Sequence, residues 1–143
     1  MTAISNTYAA LDVGEVRIGV ALTPKGVRIA QPYGVIANDD SVMQSIRKLI
    51  DQEQITALAI GLPRGLQGQE TDQTRYVRDF VQRLQGYIDT PIELQDEALT
   101  SHKAEEELAA RGKKFEKGDI DALAACYILE DFLGGLPEGL HAV

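Results

Sequence analysis

The run Ile55-Thr56-Ala57-Leu58-Ala59-Ile60-Gly61 is apolar almost throughout and shows no alternation of apolar and polar residues. A strand of this kind has no face to give to water, so it belongs in a parallel sheet covered on both sides. The neighbouring segments supply the cover. Asp39-Asp40-Ser41 offers helix-capping side chains, and Val42, Ile46, Leu49 and Ile50 follow at helical spacing. A second helix begins near Thr71 and carries Tyr76, Val77, Phe80, Val81 and Leu84 on one stripe.

The start of the chain differs. Tyr8 to Gly14, Arg17 to Thr23 and Val27 to Ile36 read as three strands, the third interrupted near Pro32. Their connections, Gly14-Glu15 and Pro24-Lys25-Gly26, are short, which suggests an antiparallel meander. After the second helix come a short strand from Pro91 to Gln95, a helix from Thr100 or Ser101 to about Ala110, a basic loop from Arg111 to Gly118 and a last helix from Asp119 to Leu133. The order predicts an α/β fold with a mixed five-stranded sheet and helices on both faces. The length of 143 residues suits one domain, expected over residues 1–135, with a loose Gly- and Pro-containing tail over 136–143.

Three acids stand out against this frame. Asp12 ends an apolar, central strand, where an ionised side chain is costly unless a cation meets it. Capping the turn at Gly14 is the competing role. Asp96 and Glu97 follow the strand that ends at Gln95, at the sheet edge where α/β proteins hold ligands. One of this pair favours the next helix through its dipole. Asp119 sits where an N-cap is expected. Asp121 lies inside the last helix and shares a face with Ala124, Ala125 and Ile128. The alanines let that face approach the sheet and carry Asp121 inward.

Asp12, Glu97 and Asp121 form a hard-oxygen set that suits Mg²⁺ or Mn²⁺. Such a site fits phosphodiester hydrolysis, in which metal ions activate water and stabilise the leaving oxygen. His102 and His141 lie far apart in sequence, and Cys126 sits in an apolar run as a small core residue, so zinc is not indicated. The net charge of −8 excludes a protein that coats nucleic acid by bulk attraction. A local basic rim remains available. Arg17, Arg64, Lys103, Lys113, Lys114 and Lys117 are the candidate substrate contacts, and the cluster at 113–117 beside Asp121 is the most specific of them. Arg75 and Arg78 read as solvated surface.

These residues resemble the YqgF (RuvX) family. The resemblance covers about Tyr8 to Leu133. Leu11-Asp12-Val13-Gly14-Glu15-Val16-Arg17-Ile18-Gly19-Val20-Ala21 is similar to the family's opening motif, and Ala30-Gln31-Pro32 to its third strand. Ile60-Gly61-Leu62-Pro63 followed by Gly68 resembles its Gly-Leu-Pro loop. Asp96-Glu97-Ala98-Leu99-Thr100-Ser101 and Asp121-Ala122-Leu123-Ala124-Ala125 resemble its two later acidic motifs. Ala98 and Glu15 depart from it: the family usually has arginine at the first position and often proline in the turn. The resemblance implies a ribonuclease H-like fold, a nuclease with metal carboxylates at Asp12, Glu97 and Asp121, and a task in trimming precursor 16S ribosomal RNA. Resolution of branched DNA is the near alternative.

Two readings of other classes compete. Asp12-x-Gly14 with Gly19-x-Ala21 also resembles the first phosphate loop of the sugar kinase and actin superfamily, but that architecture needs two lobes and the chain has one copy. A non-catalytic ribosome- or transcription-associated nucleic-acid-binding module would have no need of three gathered acids. The segment from Met1 to Tyr8 lacks a basic stretch followed by an apolar one, and no apolar run approaches the ~20 residues that span a bilayer. A cytoplasmic protein, monomer or homodimer, that acts on structured RNA or branched DNA without a membrane partner is the expectation.

Overall fold

The computed structural model describes residues 6–97, 109–110 and 116–136. Five strands form one sheet: β1 Tyr8–Val13, β2 Arg17–Leu22, β3 Gln31–Ala37, β4 Ala57–Pro63 and β5 Ile92–Glu97, in the order β3-β2-β1-β4-β5. The first three pair antiparallel, and β1-β4 and β4-β5 pair parallel. The helices are α1 Val42–Glu53, α2 Asp72–Gln85 and α3 Lys117–Gly134. The expected mixed sheet with a central β1 is therefore present, and Glu97 belongs to β5 itself.

Two apolar layers cover the sheet. Leu11, Val13, Ile18, Val20, Leu58, Ile60 and Leu62 face α1 and α2, which contribute Val42, Ile46, Leu49, Val77, Phe80 and Leu84. Tyr8, Ala10, Ala21 and Ala59 face α3, which contributes Ala125, Cys126, Ile128, Leu129 and Phe132. Apart from Tyr8, which meets Phe132 edge to face, these sheet side chains are alanines, so α3 packs close. Cys126 is buried there as a small core residue.

Helix α3 crosses the strands obliquely, and three glycines mark its path. A Cβ on Gly118 would lie 3.6 Å from Val35 on β3, one on Gly19 of β2 would lie 1.9 Å from the Asp121 carbonyl oxygen, and one on Gly61 of β4 would lie 2.5 Å from Ile128 Cδ1. The helix backbone thus rests directly on β2. Only glycine permits that approach.

Several boundaries differ from the expectation. Residues 27–30 leave the third strand: Val27 N–H closes a turn on the Pro24 carbonyl, Arg28 donates to the Leu133 carbonyl at the end of α3, and Ala30 packs beneath that helix. Pro32 is tolerated because β3 is an edge strand. The last helix starts at Lys117, not Asp119. Glu116 takes the N-cap position and donates its N–H to Asp119 Oδ2 at 2.9 Å, so Asp119 supports the helix from its third residue. At α1, Ser41 is the N-cap but forms no side-chain cap bond, while its N–H donates to Asp39 Oδ1. The second helix begins where expected, with Thr71 as its N-cap. Of the helix expected up to Ala110, the structure describes residues 109–110, which are helical. Lys103, Lys113, Lys114, Ala98 and residues 137–143 of the expected tail lie outside the described residues.

Candidate functional site

Strand periodicity decides which side chains can meet. Leu11 and Val13 face α1 and α2, so Asp12 between them faces α3. On β2, Ile18 and Val20 face the same way as Leu11, so Arg17 and Gly19 face α3 with Asp12. Ile92 packs toward α1 and α2, which places Glu97 on the α3 face as well. Asp121 comes down from α3 onto Gly19, the direct partner of Asp12 across the β1-β2 ladder. Leu11 pairs with Ile60, so Gly61 is the next neighbour of Asp12 on the other side. Asp12 is therefore flanked by two glycines, and α3 takes the space over each, with the Asp121 carbonyl over Gly19 and Ile128 over Gly61.

Glu97 pairs with Pro63, one row further along the sheet, and the backbone N–H of Arg64 donates to its carbonyl at 3.0 Å. Its side chain leans back toward β1: Cγ lies 3.8 Å from where a Gly61 Cβ would sit, and Oε1 is shielded from solvent.

The electrostatics identify Asp12 as the strained member. Burial pushes its carboxyl from the ordinary 3.8 up to about 6, and the nearby Asp121 carboxylate adds to the shift. Among the described residues no donor hydrogen-bonds the Asp12 carboxylate. Asp121 is answered by Arg17, whose Nε donates to Asp121 Oδ2 at 2.7 Å across 104 residues of sequence. Among the described residues, no three His, Cys, Asp or Glu side chains stand close enough together to hold one ion. The three acids thus share a face and an end of the sheet, Asp12 and Asp121 feel each other's charge, and a guanidinium lies on Asp121.

The remaining basic candidates are placed as follows. Arg64 reaches Asp96 Oδ1 at 3.3 Å and Glu70 Oε2 at 3.5 Å. Arg78 takes both oxygens of Glu70 at 3.0 Å and holds that carboxyl below its usual range. Arg75 pairs with Asp72. Lys117 is exposed in the first turn of α3. One positioning group, Asn38, escapes sequence reasoning. Asn38 Nδ2 donates to the Gly14 carbonyl at 2.7 Å and to Tyr76 Oη at 2.9 Å, tying the turn after Asp12 to α2. An asparagine before Asp39-Asp40 reads only as a turn residue, so nothing in the sequence marks it. Gly19 did carry a signal, since an isolated glycine inside an apolar strand indicates close approach of another backbone.

The donor set fits a hard divalent cation. Mg²⁺ is commonly held by one or two carboxylates, with waters and substrate phosphates completing the shell. Asp12 and Asp121 provide two crowded carboxylates whose mutual repulsion such an ion relieves, and Glu97 stands on the same face. This leads to a pH prediction. If Asp12 holds the ion, its carboxylate must be ionised, so in Mn²⁺ calorimetry the affinity should be flat above about pH 6 and fall by about tenfold per pH unit below it. A profile that stays flat down to pH 4.5 would remove Asp12 from the ligand set.

A family model described as "RuvX: Holliday junction resolvase" matches residues 6–135. A "Putative pre-16S rRNA nuclease" of Sulfurihydrogenibium sp. is 43% identical over 129 residues, covering 88% of both chains. A protein of the same description from Glaesserella parasuis is 38% identical over 133 residues, covering 90% of this chain and 96% of its own. Among solved structures, Thermus thermophilus RuvC in complex with a Holliday junction substrate superposes with a TM-score of 0.56 at 15% identity, over 89% of this chain and 94% of that one. That likeness speaks for the fold, which is ribonuclease H-like. With the family model spanning nearly its whole length and relatives of this identity alongside, the chain belongs to the RuvX family.

Proposed function

We propose that the protein is a divalent-metal-dependent nuclease that hydrolyses phosphodiester bonds in structured nucleic acid, with the 5′ end of precursor 16S ribosomal RNA as its substrate. The crowding of Asp12 and Asp121 on one face of the sheet, in a chain of this family, carries the reading. Asp12, Asp121 and Glu97 are the proposed ligands of Mg²⁺ or Mn²⁺. When bound, the metal supplies a polarised water and charge stabilisation at the phosphate. The chain's own groups do the rest. Asp12, on the central strand, gives the site a fixed reference. The glycines on either side let α3 settle onto the strands and bring Asp121 to Asp12. Helix α3 shields the inner side from bulk water, which strengthens electrostatic interactions there.

Arg64, Lys117 and the lysines at 103, 113 and 114 are the proposed phosphate contacts. As phosphate contacts they would position substrate without specifying sequence. Charge reversal at Lys113→Glu with Lys114→Glu is expected to weaken substrate binding and lower the slope of log K against log salt by about 2. Arg64→Ala should lower it by about 1. An unchanged slope would assign these side chains to solvated surface or, for Arg64, to its ion pairs alone.

Branched DNA is a second substrate reading, favoured by the description of the matching family model. Cleavage assays on precursor 16S ribosomal RNA and on a four-way DNA junction decide between them, run with Mg²⁺, Mn²⁺ or chelator. Cleavage of one substrate that stops with chelator and in Glu97→Gln supports the proposal. Cleavage of neither would leave a binding module. The described residues include no helix long and apolar enough to cross a membrane, and the proposed site of action is the cytoplasm. Residues 1–135 are proposed to act as one domain.

A further inference from the structure

The contact between Arg17 and Asp121 does not fit a simple substrate clamp. Arg17 opens β2, its backbone carbonyl accepts from Gly14 N–H at 3.0 Å, and so its Cα is held beside the turn that follows Asp12. From there its Nε reaches Asp121 Oδ2 at 2.7 Å. Its side chain keeps 34% of its surface exposed, against 20% for Asp121. Among the described residues the two terminal nitrogens of the guanidinium make no hydrogen bond. Arg17 therefore neutralises a site acid with one edge while its planar fork, the part that matches phosphate oxygens, stays open.

We propose that Arg17 is the resident counter-ion of the metal-free site, released from Asp121 when a divalent cation enters and then free to grip a substrate phosphate. The inference rests on reading Asp12 and Asp121 as metal ligands. The physical reason is competition for one carboxylate. A guanidinium and a divalent ion on the same side chain repel each other, and the ion carries twice the charge. The arrangement lets the protein fold without two uncompensated acids side by side. It also couples the two ligands of the reaction: a phosphate that draws Arg17 away from Asp121 makes the cation bind more tightly, and by reciprocity the cation favours the phosphate.

The opposing possibility is that Arg17 orients Asp121 for the metal and stays in place. The two roles differ in the sign of one measurement. Calorimetric titration of Mn²⁺ into the nucleic-acid-free protein at pH 7.5 should show about tenfold tighter binding to Arg17→Gln than to the parent, because a positive charge has left the site. Arg17→Lys retains the charge and should bind Mn²⁺ like the parent, which also guards against a folding defect in the glutamine variant. In cleavage assays Arg17→Gln should raise KM more than it lowers kcat. Unchanged or weaker Mn²⁺ binding by Arg17→Gln, with the parent binding normally, overturns the exchange. Absence of Mn²⁺ binding in the parent itself would instead overturn the assignment of the site.

Discussion

Asp12→Asn should lose cleavage to background, by about a thousandfold or more, and yet melt at a higher temperature than the parent when no metal is present. Both effects have one cause. Burial and the Asp121 carboxylate push the Asp12 carboxyl up to about 6, so near neutral pH the fold carries a charge it disfavours. At about 1.4 kcal/mol per pH unit this displacement is worth about 3 kcal/mol, of which an amide, itself still a buried polar group, should recover about 2 kcal/mol in the metal-free protein. For a domain of this size that is a gain of about 5–8 °C. The sign with pH follows. The folded value lies above the ordinary 3.8, so deprotonation works against folding. The parent carries no such penalty below about pH 4, acquires it between pH 4 and 6 and bears it in full above. The two proteins should therefore melt alike at pH 3.5 and diverge as pH rises. Mn²⁺ should raise the melting temperature of the parent and leave that of Asp12→Asn nearly unchanged. A variant that is less stable at pH 7.5, or that keeps its activity, would show that Asp12 only caps its turn.

Gly19→Ala, a change of one methyl group, should be nearly as damaging to activity by a different route. The added Cβ would lie 1.9 Å from the Asp121 carbonyl oxygen and 2.3 Å from its carbon. Those atoms are helix backbone and cannot rotate aside. Helix α3 must lift from β2, at a cost of about 3 kcal/mol, and Asp121 moves with it. Displacing a reacting group by about 1 Å can cost a hundredfold in rate, so cleavage should fall at least that far. Circular dichroism should report intact secondary structure with a transition about 10 °C lower. Gly61→Ala makes the comparison. Its new Cβ would meet Ile128 Cδ1 at 2.5 Å, the far end of a side chain with other rotamers, so a milder loss is expected. Equal stability of Gly19→Ala and parent would show that α3 does not rest on β2.

The architecture was legible because its signals are long. The nearly unbroken apolar run before Gly61 demanded a strand covered twice, and the stripe that follows Thr71 marked α2, which begins at Asp72. Boundaries set by single tertiary contacts were not. Nothing local to residues 27–30 announces that Arg28 will reach the end of α3. Asp119 has the chemistry of an N-cap, and the backbone N–H of Glu116, three residues before it, draws its carboxylate into the third position of the helix instead. The site was legible as chemistry and less so as geometry. Strand ends and helix faces brought Asp12, Glu97 and Asp121 to one side of the sheet, as periodicity requires. The pairing of Arg17 with Asp121 spans 104 residues and follows from how α3 sits on β2, which no spacing along the chain encodes.

Helix α3 touches β3 near Gly118, β2 at Asp121 and β4 at Ile128. A rod clamped at three points pivots when one clamp is raised. Bulk added at the Ile128 end would tip Asp121, about two helical turns away, and would retune the proposed cation site without touching any atom near it. Drift in catalytic strength among relatives is thus to be sought along the underside of one helix, in residues that a survey of the acids alone would pass over.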